Sequence, residues 1–202
     1  MEVRNKLLQA ALRVFEECGS RGATTRRIAA EAGVNEITLF RHFGNKAALL
    51  NEAISSSGVL RPAAPLPREP RNPRAELLAW ARAQHAGIRH NAALIRTSMG
   101  EMEGNPEMLR CSAENPRRAN TELQAYLERL QGAGLMRAGV DTYAATAMLT
   151  GSLFADAMGR DMIPERYPYP EAEAPGKYVE LFLRAIGADP DPAPPAAGTA
   201  PD

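Results

Sequence analysis

Cysteine is almost missing from this chain of 202 residues: only Cys18 and Cys111 occur, far apart and in no motif. Two cysteines so placed make no disulfide framework and point to a reducing compartment, although a single pair across the fold stays open. No apolar stretch comes near the roughly 18 residues that suggest a membrane span. The opening segment MEVRNKLLQAALRVF carries charge throughout and lacks a small-residue cleavage pattern, so no signal peptide and a cytoplasmic protein are expected. Histidine is scarce as well: His42, His85 and His90 are all there are. His85 and His90 form no recognisable ligand set with a carboxylate or cysteine, so no metal is expected. A nucleophile elbow, a phosphate loop and a paired-carboxylate arrangement are all missing. The expectation is a protein that is not an enzyme and holds no cofactor. Net charge is also missing, with 24 Lys and Arg against 24 Asp and Glu. That argues against a nonspecific DNA coat driven by charge.

What is present is ordinary for a soluble globular protein: 45% hydrophobic and 24% charged residues. The length suits one or two small domains. The charge is unevenly spread. Residues 1–61 hold nine Arg or Lys and six Asp or Glu; residues 62–202 hold fifteen against eighteen. A modestly basic head on an acidic body can present a local positive surface to phosphate. The fold expected is all-α. Its first part is a three-helix head in residues 1–57. A larger helical body follows in 58–187, and a disordered tail in 188–202.

In the head, a first helix is expected from about Asn5 to Cys18, with Leu8, Ala11, Leu12 and Phe15 on one face and Gly19 ending it. Thr24 or Thr25 caps a second helix, Arg26 to Ala32. Gly33 makes the turn, a third helix runs from about Asn35 to His42, and a fourth starts near Lys46. The prolines at 62, 65, 67, 70 and 73 mark a domain junction or an ordered extended connection. Body helices are expected over Arg74–His90, Ala92–Gly100, Asn115–Gln131, Asp141–Met158 and Gly176–Ile186.

The segment from Thr24 to Leu50 carries the chemistry. Ile28, Ala29 and Ala32 line the inner side of the second helix, and Val34, Leu39 and Phe43 that of the third. Small Ala29 and Ala32 let short helices cross closely, and Gly33 permits the tight turn between them. Glu36, Ile37, Phe40 and Arg41 are left outside. A short helix held this way can enter a major groove. Isoleucine and phenylalanine a turn apart on a surface suit thymine methyl groups and sugar edges. Arg41 is a candidate for a bidentate contact to guanine or for a phosphate contact. Glu36 either accepts from cytosine N4 or favours the helix N-terminus through the dipole. His42 and Lys46 position the protein rather than read sequence.

These residues resemble the TetR family of bacterial transcriptional regulators. The match runs through Ala11-Leu12-Arg13-Val14-Phe15, Gly19, Ala23-Thr24-Thr25, Ile28-Ala29, Ala32-Gly33-Val34, Thr38-Leu39-Phe40-Arg41-His42-Phe43 and Lys46. The resemblance implies all-α homodimers with a DNA-binding head and a divergent, effector-binding body. It implies that Thr25 and Arg26 or Arg27 make backbone and groove-edge contacts, and that Thr38, Phe40, His42 and Lys46 face phosphate. Asn35, at the start of the third helix, completes the DNA-binding set. Two departures stand out. The family usually has tyrosine where Phe40 stands, so a phenolic hydrogen bond to phosphate is missing. It commonly has a small residue where Ile37 stands, which suggests a base-methyl contact particular to this chain.

In the body, Ala144, Ala147, Gly151 and Ala155 form a stripe of small residues, with Met148 and Phe154 beside it. Intrachain packing accounts for such a stripe equally well. Taken with Tyr178, Leu181 and Phe182 on the last helix, it is read as a two-fold four-helix interface. Trp80, Met99, Met102, Met108 and Tyr126 are candidates to line a pocket for a small, mainly apolar effector, although methionine fills gaps in any core. The expected function is a ligand-responsive repressor, bound as a homodimer to double-stranded DNA with a two-fold symmetric operator, with no membrane partner.

Overall fold

The computed structural model describes residues 2–56, 65–101 and 106–188, and their side chains except those of 55, 56, 101 and 106–112. Among the described residues there is no strand, and the fold is all-α. By contacts the chain divides into two compact units, one of Met1–Arg61 with Ala86–Ala119 and one of Pro62–His85 with Asn120–Asp202. The sequence division at residue 57 is simpler than this, because residues 86–119 group with the head.

The first unit begins with α1 (Val3–Gly22), which breaks at Gly19, where φ is 66° and ψ is −177°. That conformation favours glycine, which has no Cβ to clash with the backbone. Leu7, Leu8, Ala11, Val14 and Phe15 recur at the three-and-four spacing and are all buried. Packed on α1 are α2 (Thr25–Glu31), α4 (Lys46–Ser56) and α6 (Ala92–Glu101), while α3 (Glu36–Phe43) packs on α2 and α4. Each short helix has a polar cap. Thr24 Oγ1 accepts from Arg27 N at 3.2 Å, Asn35 Oδ1 from Ile37 N at 3.0 Å, and Asn45 Oδ1 from Ala48 N at 2.8 Å. Such caps stabilise by roughly 1 kcal/mol apiece. Gly33, with φ of 67°, turns the chain between α2 and α3. Ile28, Leu39, Phe43, Leu49, Leu50 and Leu94 close the same apolar cluster.

The second unit starts with an extended segment held by side chains. Leu66 N donates to Glu122 at 2.9 Å, and Arg129 Nη2 donates to the Pro67 carbonyl at 3.1 Å. The N–H groups of Arg71 and Asn72 both reach Glu76 Oε1, at 3.0 and 2.9 Å. Of the two readings of the proline run, the described part is thus an ordered connection. Helix α5 (Pro73–His90) follows, and α7 (Pro106–Gly132) lies beyond α6. The sequence places the start of this helix at Asn115. In the structure Pro116 lies inside α7, so the helix forgoes one backbone hydrogen bond there and starts nine residues earlier. Helix α8 (Thr142–Gly159) is capped by Asp141 Oδ1, which accepts from Tyr143 N and Ala144 N, and it packs on α9 (Ala174–Ile186). Two short 3₁₀ turns, Pro164–Arg166 and Glu171–Glu173, join them. Residues 189–202, expected to be a disordered tail, lie outside the described residues.

Candidate nucleic-acid interface

Burial of Ile28, Ala29, Leu39 and Phe43 fixes which sides of α2 and α3 are left outside. Ile37 is 75% exposed and Phe40 45%, both on α3. Two apolar side chains this accessible on an eight-residue helix leave much of their apolar surface unburied by their own unit. Around them the cations divide into two groups. Arg26 and Arg41 are exposed and have no hydrogen-bond or ion-pair partner among the described residues. Arg27 is paired with Glu17 at 2.7 Å, and Lys46 Nζ donates to the Ser20 carbonyl at 2.7 Å. Lys46 therefore ties the first turn of α4 to the broken end of α1 in the free chain. His42 is exposed, with its ring centroid 6.2 Å from that of Phe43.

The remaining polar residues of the expected set also have intramolecular tasks. Asn35 caps α3 through its side-chain oxygen, and Thr38 is half-buried. Thr25 Oγ1 donates to Glu36 Oε1 at 2.5 Å, joining the first residue of α2 to the first residue of α3. The arrangement thus offers apolar contact from Ile37 and Phe40, exposed and unpaired positive charge from Arg26 and Arg41, and a tethered carboxylate from Glu36. Sequence reasoning missed Arg4, which pairs with Glu52 on α4 and places its guanidinium 5.1 Å from the Phe43 ring centroid.

The body candidates are divided between the two units. Trp80 and Tyr126 belong to the second unit and are wholly buried. Trp80 Nε1 donates to Glu122 at 3.3 Å, and the Tyr126 hydroxyl donates to Glu76 at 2.6 Å. Burial, reinforced by the hydrogen bond and charge of Glu76, pushes the Tyr126 phenol well above its ordinary value. Met99 belongs to the first unit and is half exposed. Met102 lies outside the described residues, as does the side chain of Met108.

The small-residue stripe has an outward face. Ala144, Ala147, Met148, Gly151, Phe154 and Ala155 are all exposed on α8, whereas Ala145, Leu149, Leu153 and Ala157 are buried on its other side. The three α9 residues read as one surface are separated. Leu181 is 63% exposed, Phe182 only 2%, and Tyr178 is half-buried with its hydroxyl turned inward. Helical period explains this, since Pro175, Val179, Phe182, Leu183 and Ile186 share the inner face.

That inward hydroxyl belongs to a cluster for which the sequence carries little signal. Asp156, fully buried, accepts from His85 Nε2 at 2.6 Å, from Arg160 Nε at 2.7 Å and Nη2 at 2.9 Å, and from the Tyr178 hydroxyl at 3.0 Å. Tyr169 and Tyr178 share a hydrogen bond of 2.8 Å. Burial by itself raises the Asp156 pKa. The hydrogen bonds from Arg160, His85 and Tyr178 and the charge of Arg160 outweigh it and hold the carboxyl below its ordinary value. The Tyr178 phenol is pushed far up by burial and by its bonds to Tyr169 and Asp156. His85 has a carboxylate partner after all, 71 positions along the chain.

Comparison with known proteins places this head and body together. Residues 7–53 match the model of bacterial regulatory proteins of the tetR family, and residues 76–188 match that of the AefR-like transcriptional repressor C-terminal domain. The HTH-type transcriptional regulator YvkB of Bacillus subtilis is 25% identical over 185 residues, covering 91% of this chain and 97% of its own. A tetR-family regulatory protein from Rhodococcus RHA1 superposes with a TM-score of 0.70 at 26% identity, covering 94% of this chain and 99% of that one. The regulator FadR from Bacillus subtilis, in complex with stearoyl-CoA, has the same fold, with a TM-score of 0.72 at 19% identity over 90% of this chain and 98% of that one. Two family models covering head and body, and the helix-turn-helix that carries an exposed α3, establish that the chain belongs to the TetR family of DNA-binding transcriptional regulators.

Proposed function

We propose that this regulator is a repressor that binds a two-fold symmetric operator as a homodimer and releases it when a small, mainly apolar molecule occupies the body. It works by binding and not by catalysis. The observation that carries the DNA half is the outer surface of α3. Ile37 and Phe40 are exposed, and Arg41 and Arg26 have no partner among the described residues. One such helix reads only a few base pairs, and two of them on a symmetric dimer suit half-sites about one helical turn apart. The outward face of α8 with Leu181 of α9 supplies an apolar surface for a second copy. The effector half is supported by the match of residues 76–188 to a repressor C-terminal domain and by the acyl-CoA bound to a regulator of the same fold. A coupling of about 1–3 kcal/mol between effector and operator suffices for a switch.

Selection of bound sites from a random DNA pool tests the reading. Enrichment of one palindromic site is expected, and recovery of random sequence would overturn it. A screen of small molecules by thermal shift, followed by operator titration with each hit, tests the switch. Hits that bind at saturation without changing operator affinity would rule out effector control.

A further inference from the structure

The bond between Thr25 and Glu36 has a consequence for which bases α3 accepts. We infer that Glu36 is a specificity residue held in place by Thr25, and that the tethered carboxylate selects cytosine in the major groove. The inference rests on the operator-reading role proposed for α3.

Glu36 is the first residue of α3, directly before the exposed Ile37, and Asn35 caps the helix at that point. Thr25 opens α2, with Thr24 as its cap. Both ends of the bond are thus anchored on capped backbone, and both side chains are half-buried. At 2.5 Å, the Thr25 hydroxyl donates to Oε1 at the short end of the hydrogen-bond range. The bond occupies Oε1 and restrains the side chain. Oε2 has no partner among the described residues.

A carboxylate can only accept hydrogen bonds. In the major groove guanine shows N7 and O6 and thymine shows O4, all acceptors that repel it. Adenine shows an N6 amino group but places the acceptor N7 beside it. Cytosine shows the N4 amino group with an acceptor, the paired guanine O6, on one side only, whereas adenine N6 lies between N7 and the paired thymine O4, so cytosine is the base that a fixed Oε2 fits best. The tether matters because a free glutamate turns away from the phosphates, whereas a held one keeps its oxygen in place and lowers the ordering cost of the contact. A carboxylate placed only to favour the helix dipole acts alike on every DNA sequence.

The test is selection from a random DNA pool with the full chain, followed by titration of the four bases at each symmetric pair of positions. Wild-type protein is expected to favour cytosine at one pair by roughly tenfold or more. Glu36→Ala should erase that preference, and Glu36→Gln should move it towards adenine, whose N6 and N7 suit an amide. Thr25→Val should flatten the same pair and no other, and adding it to Glu36→Ala should cost no further discrimination. Thermal unfolding of each variant accompanies the titrations, so that a loss of fold is separated from a loss of preference. If Glu36→Ala changes affinity for all sequences equally, or if the preferred base is not cytosine, the specificity role is wrong. A cytosine preference that survives Thr25→Val would overturn the tether. Failure of the wild type to enrich any site would count against operator reading itself, a distinct outcome.

Discussion

The two units use their polar side chains in opposite ways. The buried cluster around α1, α2, α3 and α4 is apolar throughout, and the ion pairs Arg4–Glu52, Arg13–Glu31 and Arg27–Glu17 of that unit all keep a third or more of each side chain exposed. In the second unit Asp156 is fully buried with His85 and Arg160 on it, and Glu76 and Glu122 reach inward to Tyr126 and Trp80. Exposed pairs contribute little to stability, whereas a buried charge must be paired and hydrogen-bonded or it is strongly destabilising. Arg26 and Arg41 in the first unit thus remain available to an outside partner. The buried polar groups of the second link α5, α8 and α9 by hydrogen bonds.

The sharpest test of this contrast is removal of the buried carboxylate. Asp156→Ala leaves Arg160 and His85 without their partner and should lower stability by about 3–5 kcal/mol. Urea unfolding would measure it, and a loss below about 1 kcal/mol would show that the cluster is not structurally demanding. A related effect concerns pH. The Asp156 carboxyl has a lowered folded-state pKa, so its ionised form adds stability above the ordinary value of 3.8. That contribution falls away as the pH drops through the lowered value. The stability gap between wild type and Asp156→Asn should therefore be widest near neutral pH and narrow below about pH 4.

Changes on the head should move DNA binding and leave stability alone. Arg41→Ala is expected to weaken operator binding by about 1–3 kcal/mol and flatten preference at one symmetric pair if the guanidinium meets a base. Arg26→Ala should weaken all sequences alike and lower the salt slope by about one unit, as loss of one phosphate contact does. Gel-shift titrations over a salt series would separate the two, and identical salt and sequence profiles would refute the division of labour. The smallest effect is expected from Phe40→Tyr. The ring is already at the surface, so the fold should not change, and a new hydroxyl within reach of phosphate should add about 0.5–1.5 kcal/mol to binding. An unchanged affinity at every salt concentration would assign the ring to apolar contact.

The head was legible because its determinants are local. Thr24, one of the two threonines read as a cap, the turn at Gly33 and the apolar spacing of Leu39 and Phe43 all act within a few residues, and each holds in the structure. Legibility fell where a local signal had two meanings. The expected helix start at Asn115 falls inside α7, which carries Pro116 within it, and the neighbours Leu181 and Phe182 read as one surface but face opposite ways. Among the interface candidates, Lys46 and Asn35 prove to be engaged within the chain, which residue type alone does not indicate.

The chain's own order of residues thus determined the helical class, the capped helix-turn-helix and the exposed identity of α3, since short-range periodicity and capping decide them. Tertiary structure alone decided which polar groups meet. His85 and Asp156 lie 71 positions apart, and Thr25 and Glu36 are joined across a turn by a rotamer choice. Such pairings depend on how helices cross, and crossing is settled by the packing of whole faces rather than by any local pattern.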